Sequence, residues 1–301
     1  MHEKRKRYAF YKWGFFALLV VLAAGVYVSY DYWVFKLLVS QHYVPVETLD
    51  TLYEDALGDA YSGDPLRDFD RMVISHTLRR IRRINGDKYT FLYAPKRSEV
   101  SQGPAQEVSR LAYAEALSVG VVYVRLADVS ATTRAFLEDN REALAQYPSL
   151  VLDLRGNGGG RLTDFHRMAQ MFVGQGNPIA YEHARWPLFS HTEYGRGTPV
   201  FAFGAILVLQ DGETASAAEG LIAALSHNLP QVVTAGETTY GKGLGQVTLP
   251  LTGGFAVRAT VLELEGPGGE NLHKQGLAPD ICAVFPSDAA AKTFARAWFG
   301  L

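Results

Sequence analysis

Cysteine is almost absent from this chain of 301 residues, whose single thiol is Cys282. One cysteine forms neither an internal disulfide nor a thiolate-rich metal site, so a disulfide-stapled fold is excluded. An excess of one charge is also missing, since the formal net charge is -2, and nothing indicates nucleic-acid binding. The histidines are scattered without metal-ligand spacing. We therefore expect no metal, no cofactor and no nucleic-acid partner.

Long hydrophobic runs are missing as well, except near the N-terminus. From Trp13 to Tyr30 the sequence WGFFALLVVLAAGVYVSY has no charged residue, which is about the length that crosses a bilayer. A cleaved signal peptide is the alternative, but its apolar core is usually shorter and ends at a small-residue cleavage site. The basic cluster before it should stay cytoplasmic. We predict a cytoplasmic basic tail over 1–12 and one transmembrane helix over 13–34. The protein would be a single-pass protein of the inner (cytoplasmic) membrane, with the remainder periplasmic or extracellular.

Residues 35–110 are predicted to form an N-terminal helical segment and a linker. Apolar residues at helical spacing indicate helices near 45–62 and 64–84. The stretch that begins at Pro95 is polar and rich in turn-forming residues, which is typical of a linker.

Residues 111–301 carry the pattern of an α/β core. The strand VGVVYVRL, a helix with Ser130 as its candidate N-cap, and the strand SLVLDL form one crossover unit. The pattern repeats with VFAFGAILVLQDG, the alanine-rich helix SAAEGLIAALSH and QVVTAG. Continuous apolar strands are typical of a largely parallel sheet covered by helices on both faces.

Two turns follow predicted strand ends, where open α/β sheets place their active sites. The first, DLRGNGGGR from Asp153 to Arg161, has glycines that let backbone N–H groups point into one concavity. The second, DGETASAAEG, places Ser216 between alanines at the start of a helix, where we expect its hydroxyl to be accessible and its own N–H and the next one to be free. Ser216 could also act only as a helix cap, and the glycines could form only a turn.

A third glycine-rich stretch, GETTYGKG from Gly236 to Gly243, has the spacing of a phosphate-binding loop. Gly243 stands where that loop needs Ser or Thr for magnesium, and LGQVTLPL after it alternates as a strand does, so a nucleotide site is disfavoured. A neutral lysine can instead act as the base that a serine nucleophile needs, if its pKa is lowered from about 10.4. We therefore interpret Lys242 as a general base for Ser216, held by glycines that allow close approach to the serine.

Five ordered motifs, VVYVRL, LVLDLRGNGGG, DGETASAAE, GETTYGKGLGQ and GLAPDI, resemble the C-terminal processing (tail-specific) serine proteases. That resemblance implies a ClpP/crotonase-like core with a Ser-Lys dyad, and a core over 111–301. It implies Ser216 as nucleophile, Lys242 as base and Gln246 as the residue that orients the lysine. It also implies an oxyanion hole from the backbone N–H groups of Gly159 and Ala217.

The sequence departs from the family pattern at two places. Ala218 replaces a second serine, which leaves the nucleophile intact. Most members also insert a PDZ domain between the helical segment and the core, and only a short polar stretch is available here. The predicted membrane span and the resemblance together predict a membrane-anchored serine endopeptidase acting on extracytoplasmic polypeptides, with specificity from the anchor or from an adaptor protein. The alternative is a catalytically silent scaffold of the same fold that binds peptides or a partner.

Overall fold

The computed structural model describes residues 15–27, 30–38, 65–93 and 111–301. The chain forms two compact units, Met1–Arg97 with Gln246–Val261, and Ser98–Gly245 with Leu262–Leu301. The predicted basic tail 1–12, the helix near 45–62 and the linker that begins at Pro95 lie outside the described residues. The predicted boundaries 35–110 and 111–301 stay predictions.

The predicted membrane span is described in part. Residues 15–27 are helical with exposed side chains, and helix α1 covers Tyr30–Leu37. Among the helices that the structure describes, none is both long and apolar enough to cross a membrane. The span over 13–34 stays a prediction.

The first unit contains α1, helix α2 (Pro65–Asn85), strand β1 (Phe91–Tyr93), most of β9 (Leu244–Pro250) and the first part of β10 (Ala256–Glu265). The helix expected near 64–84 is confirmed by α2, and the alternating stretch after Gly243 by β9. Strand β1 pairs antiparallel with β10, with Phe91 opposite Arg258. The buried apolar side chains of this unit come from the helices and the strands: Phe35, Leu38, Ile74, Leu78, Leu92, Leu251, Phe255, Val257 and Ala259.

The second unit is built on a six-stranded sheet in the order β11-β8-β7-β4-β3-β2. Its strands are β2 (Ala112–Ser118), β3 (Val121–Leu126), β4 (Ser149–Asp153), β7 (Ala205–Gln210), β8 (Val232–Gly236) and β11 (Ile281–Cys282). All neighbours pair in parallel except β2 and β3, which form a hairpin. The largely parallel sheet predicted from the apolar strands is confirmed. Beside it, β5 (Pro178–Ala184) pairs antiparallel with β6 (His191–Tyr194) and with the end of β10.

Helices cover both faces of this sheet. They are α3 (Ala131–Asp139), α4 (Arg141–Leu144), α5 (Leu162–Gln170), α6 (Ala217–Asn228) and α7 (Asp288–Trp298). Side chains of α3 to α6 pack with Val122 and Val124 of β3, whereas side chains of α7 pack with Val121 and Tyr123. This alternation along one strand follows from the two-residue period of a β-strand. Ser130 caps α3 by accepting from Thr133 N, as predicted.

Three turns leave the carboxyl ends of β4, β7 and β8, which are adjacent parallel strands. We name them the glycine turn (155–160), the serine turn (211–216) and the lysine turn (237–243). Because parallel strands end at the same sheet edge, the topology gathers the three turns there.

Candidate active site

Ser216 ends the serine turn immediately before α6. Its backbone has φ 59° and ψ -121°, a region that costs a non-glycine residue of order 1–3 kcal/mol. The residue is partly exposed between buried Ala215 and Ala217, and the accessibility of its hydroxyl stays a prediction. Such strain at an exposed side chain is typical of functional serines on strand-to-helix turns.

The expectation that the Ser216 N–H is free is wrong. This N–H donates to Glu219 Oε2 at 2.7 Å. Glu219 lies in the first turn of α6, so its carboxylate satisfies a backbone donor that has no acceptor within the helix. A carboxylate in the first turn is also typical of a helix start, because it favours the helix dipole.

Glu219 also binds the lysine turn. Its side chain is fully buried, and Oε1 accepts from Thr239 Oγ1 at 2.6 Å and from Gly241 N at 2.7 Å. Oε2, which binds Ser216 N at 2.7 Å, also accepts from Lys242 N at 2.8 Å. The backbone nitrogens of Ser216 and Lys242 therefore lie within 5.5 Å of each other, the sum of their distances to that one oxygen. One carboxylate thus brings the predicted nucleophile and the predicted base together.

The glycines that flank Lys242 pack closely on other backbone. A Cβ on Gly243 would lie 2.6 Å from His273 N and 2.9 Å from Leu264 O, and one on Gly241 would lie 3.0 Å from Gly276 N. These glycines therefore allow the lysine turn to pack on this backbone, and their predicted role in the approach to Ser216 stays a prediction.

Gly159 of the glycine turn lies directly against the serine turn. A Cβ on Gly159 would lie 2.5 Å from Ala215 O and 2.8 Å from Ser216 Cβ, and its φ is +89°. Only glycine fits such a position without displacing the serine turn. The amide of Gly159, which the resemblance implies as an oxyanion donor, donates to Asn157 Oδ1 at 2.9 Å in this structure. Ala217 begins α6, so its amide has no acceptor within that helix.

Two further polar side chains fasten the glycine turn. Buried Asn157 donates to Leu126 O at 3.0 Å, at the end of β3. Asp211 Oδ1 accepts from Gly156 N at 2.9 Å and from Thr214 N at 3.0 Å, so it joins the glycine turn to the serine turn. Neither residue was predicted as a site residue, because the bonds to Leu126 and to Gly156 that fix the two turns join partners far apart in sequence.

Asp153 and Arg155 pair with each other. Arg155 donates from Nε to Asp153 Oδ1 at 2.9 Å and from Nη2 to Oδ2 at 2.7 Å. Tyr123 and Arg125 also donate to Asp153 Oδ2. Burial alone would raise the pKa of Asp153, but the hydrogen bonds and charge of Arg155 hold that pKa below its usual value. Burial beside this carboxylate raises the pKa of Tyr123. These four side chains form a cluster of ion pairs and hydrogen bonds that fixes Arg155, the first residue of the glycine turn.

Gln246 lies on β9 and falls in the first compact unit, whereas Ser216, Ala217, Gly159 and Lys242 fall in the second. Within the first unit Gln246 Oε1 accepts from Arg258 Nη2 at 2.9 Å. Its role as orienter of the lysine stays a prediction. Over the described ranges, no group of three or more His, Cys, Asp or Glu side chains could hold a metal ion.

Residues 120–283 match peptidase family S41, which is more than half of the chain. The chain belongs to peptidase family S41. It is 32% identical over 191 residues to the chloroplastic C-terminal processing peptidase of Tetradesmus obliquus, covering 57% of this chain and 40% of that protein. It is 31% identical over 182 residues to the carboxy-terminal processing protease CtpA of Bacillus subtilis (strain 168), covering 59% of this chain and 38% of that protein. The matched part is thus about two fifths of each relative's length.

A solved lipoprotein from Streptococcus agalactiae has the same fold. Its TM-score is 0.55 at 16% identity, over 78% of this chain and 82% of that chain. The family resemblance drawn from the five motifs is confirmed by these matches.

Proposed function

We propose that this S41 family member is a serine-type endopeptidase with Ser216 as nucleophile and Lys242 as general base. The observation that carries the proposal is the buried Glu219 carboxylate, which binds the backbone of both residues through one oxygen. The largely parallel sheet with helices on both faces supports the ClpP/crotonase-like core that the resemblance implies. Polypeptides are the proposed substrates.

The reaction would proceed through an acyl-enzyme. Ser216 Oγ attacks the scissile carbonyl while neutral Lys242 Nζ takes the hydroxyl proton, and Lys242 then gives that proton to the departing amine. Lys242 Nζ, neutral again, then takes a proton from a water molecule that attacks the ester carbonyl, and it returns that proton to Ser216 Oγ as the bond to the acyl group breaks and the acid product leaves. Gln246, four residues after Lys242, would hold the lysine side chain in position.

Ala217 and Gly159 would stabilise the oxyanion through their N–H groups. Ala217 N–H stands at the positive end of the α6 dipole, which favours a developing negative charge. Gly159 N–H would share or exchange its bond to Asn157 Oδ1 when substrate arrives, since catalytic hydrogen bonds often tighten only in the complex.

The apolar run from Trp13 and the basic residues before it support membrane anchoring, with the catalytic unit periplasmic or extracellular. Anchoring would raise the effective concentration of substrates tethered nearby. An adaptor protein on the N-terminal helical segment is the other proposed source of specificity.

A membrane-impermeant fluorophosphonate probe tests activity and topology together, because only an activated serine reacts with it. We expect labelling in intact spheroplasts of cells that express the full chain, and none with Ser216→Ala. Lys242→Arg should also fail to label, because guanidinium stays charged at any usable pH.

Each part of the proposal can fail separately. Labelling after lysis but not in intact spheroplasts would contradict the topology alone. A folded wild-type chain that never labels would favour the silent scaffold. Equal labelling of the Ser216→Ala variant would refute the assignment of the nucleophile.

A further inference from the structure

Tyr240 presents a large aromatic side chain at the candidate active site. It lies in the lysine turn, two residues before Lys242, and 47% of it is exposed. Its neighbours are the opposite: Thr239 and Gly241 are buried, and both donate to Glu219 Oε1. The backbone on each side of Tyr240 is therefore fixed by the carboxylate that also binds Ser216.

The backbone of Tyr240 is also fixed to the serine turn. Its N–H donates at 2.9 Å to the carbonyl oxygen of Thr214, two residues before Ser216. Hydrogen bonds thus connect this residue to the loops of both members of the proposed dyad. The Tyr240 backbone is thus held between the loops that carry Ser216 and Lys242, and a well-fixed backbone is what a specificity contact requires.

We propose that Tyr240 is a specificity-determining residue whose ring forms a wall of the subsite for an apolar substrate side chain near the scissile bond. The inference rests on the proposed peptidase function. Aromatic rings pack well on aliphatic and aromatic side chains and give recognition surfaces at low entropic cost. The Tyr240 ring carries no formal charge, and it would favour such side chains over charged ones.

The test measures a preference rather than activity alone. Cleavage sites of the full-length enzyme in unfolded casein are first mapped by mass spectrometry. Two peptides are then made from one such site: the first keeps an apolar residue near the scissile bond, and the second has aspartate in its place. We expect Tyr240→Ala to lower the kcat/KM ratio of the apolar to the acidic peptide about tenfold, the scale at which one pocket contact discriminates. Tyr240→Phe keeps the ring and should keep the ratio.

Tyr194 on β6 offers a matched control because it is also 47% exposed. Tyr194→Ala should leave the ratio unchanged. Fluorophosphonate labelling should proceed at the wild-type rate in all three variants, since the small probe needs Ser216 and Lys242 but not the subsite.

An unchanged ratio in Tyr240→Ala, with normal labelling, would overturn the inference. Loss of labelling in Tyr240→Ala would also overturn it, because the ring would then shape the lysine turn instead of contacting substrate. A wild-type chain that neither labels nor cleaves would instead overturn the proposed function, and this inference with it.

Discussion

Asp153 and Glu219 are both fully buried carboxylates, yet only one of them accepts from charged donors. Asp153 accepts from two guanidinium groups, a phenol and the backbone amide of Arg155. Glu219 accepts from three backbone amides and one hydroxyl. Opposite charges offset the cost of burying Asp153, which supports the sheet edge, whereas hydrogen bonds from neutral donors offset the cost of burying Glu219, which arranges the dyad. Removing the charge of Asp153 should therefore lower the free energy of unfolding, and removing an acceptor from Glu219 should shift Ser216 and Lys242 from their positions.

The largest effect is expected for Asp153→Asn. This change leaves Arg125 and buried Arg155 facing an amide, so the lost compensation should lower the free energy of unfolding by about 3–5 kcal/mol. Thermal and denaturant unfolding of the purified full chain would measure it.

Asp288 gives the control for that variant, because Arg155 Nη2 also donates to Asp288 Oδ1 at 2.9 Å. The Asp288 side chain is 56% exposed, and an exposed ion pair contributes only about 0–1 kcal/mol. Asp288→Asn should thus remain close to wild type. Equal losses in the two variants would contradict the role of burial in the Asp153 cluster.

A smaller loss of stability, about 2 kcal/mol from unsatisfied donors, is expected for Glu219→Gln. An amide has one acceptor oxygen, so its NH₂ group must face at least one backbone N–H, that of Gly241 or those of Ser216 and Lys242. Reorientation of the Thr239 hydroxyl, which also accepts from Leu277 N at 2.7 Å, would not relieve this, because it could accept from the new NH₂ group but would give the backbone N–H no acceptor. We expect fluorophosphonate labelling to slow by about 10–100-fold, because a 1 Å misplacement can cost 100-fold.

Thr239→Ser keeps the hydroxyl that donates to Glu219 and should label at nearly the wild-type rate. Wild-type labelling by Glu219→Gln would show that the carboxylate does not position the dyad. Slow labelling by both variants would instead indicate that the lysine turn tolerates no change at all.

The same comparison shows what could be predicted from the sequence. Alternating and continuous apolar runs predicted five of the strands, namely β3, β4, β7, β8 and β9, an alanine-rich run predicted α6, and turn chemistry placed Ser216 and Lys242 at strand ends. The sequence indicated only the local half of Glu219's role, since Ser216 is three residues away whereas Thr239, Gly241 and Lys242 lie beyond α6 and β8. The packing role of Gly241 and Gly243 was not predicted, because their contacts, Leu264 and residues 272–276, lie far along the chain from the lysine turn. The grouping of Gln246–Val261 with the N-terminal unit likewise depends on tertiary packing that no local pattern encodes.

The smallest expected effect is a pH dependence that belongs to Asp153. Arg155 holds the pKa of Asp153 below its usual value despite burial, so this carboxylate contributes stability that is fully present above its unfolded pKa of about 3.9. That contribution is lost only as the pH falls through the lower, folded-state pKa. The difference in free energy of unfolding between wild type and Asp153→Asn should therefore stay constant from pH 7 to about pH 4 and narrow below it. Denaturant titrations at a series of pH values would measure this difference in free energy of unfolding.

A difference that already narrows between pH 7 and 5 would contradict this expectation. It would mean that the pKa of Asp153 is raised in the folded state, because the effect of burial on that pKa outweighs the effect of the two arginines.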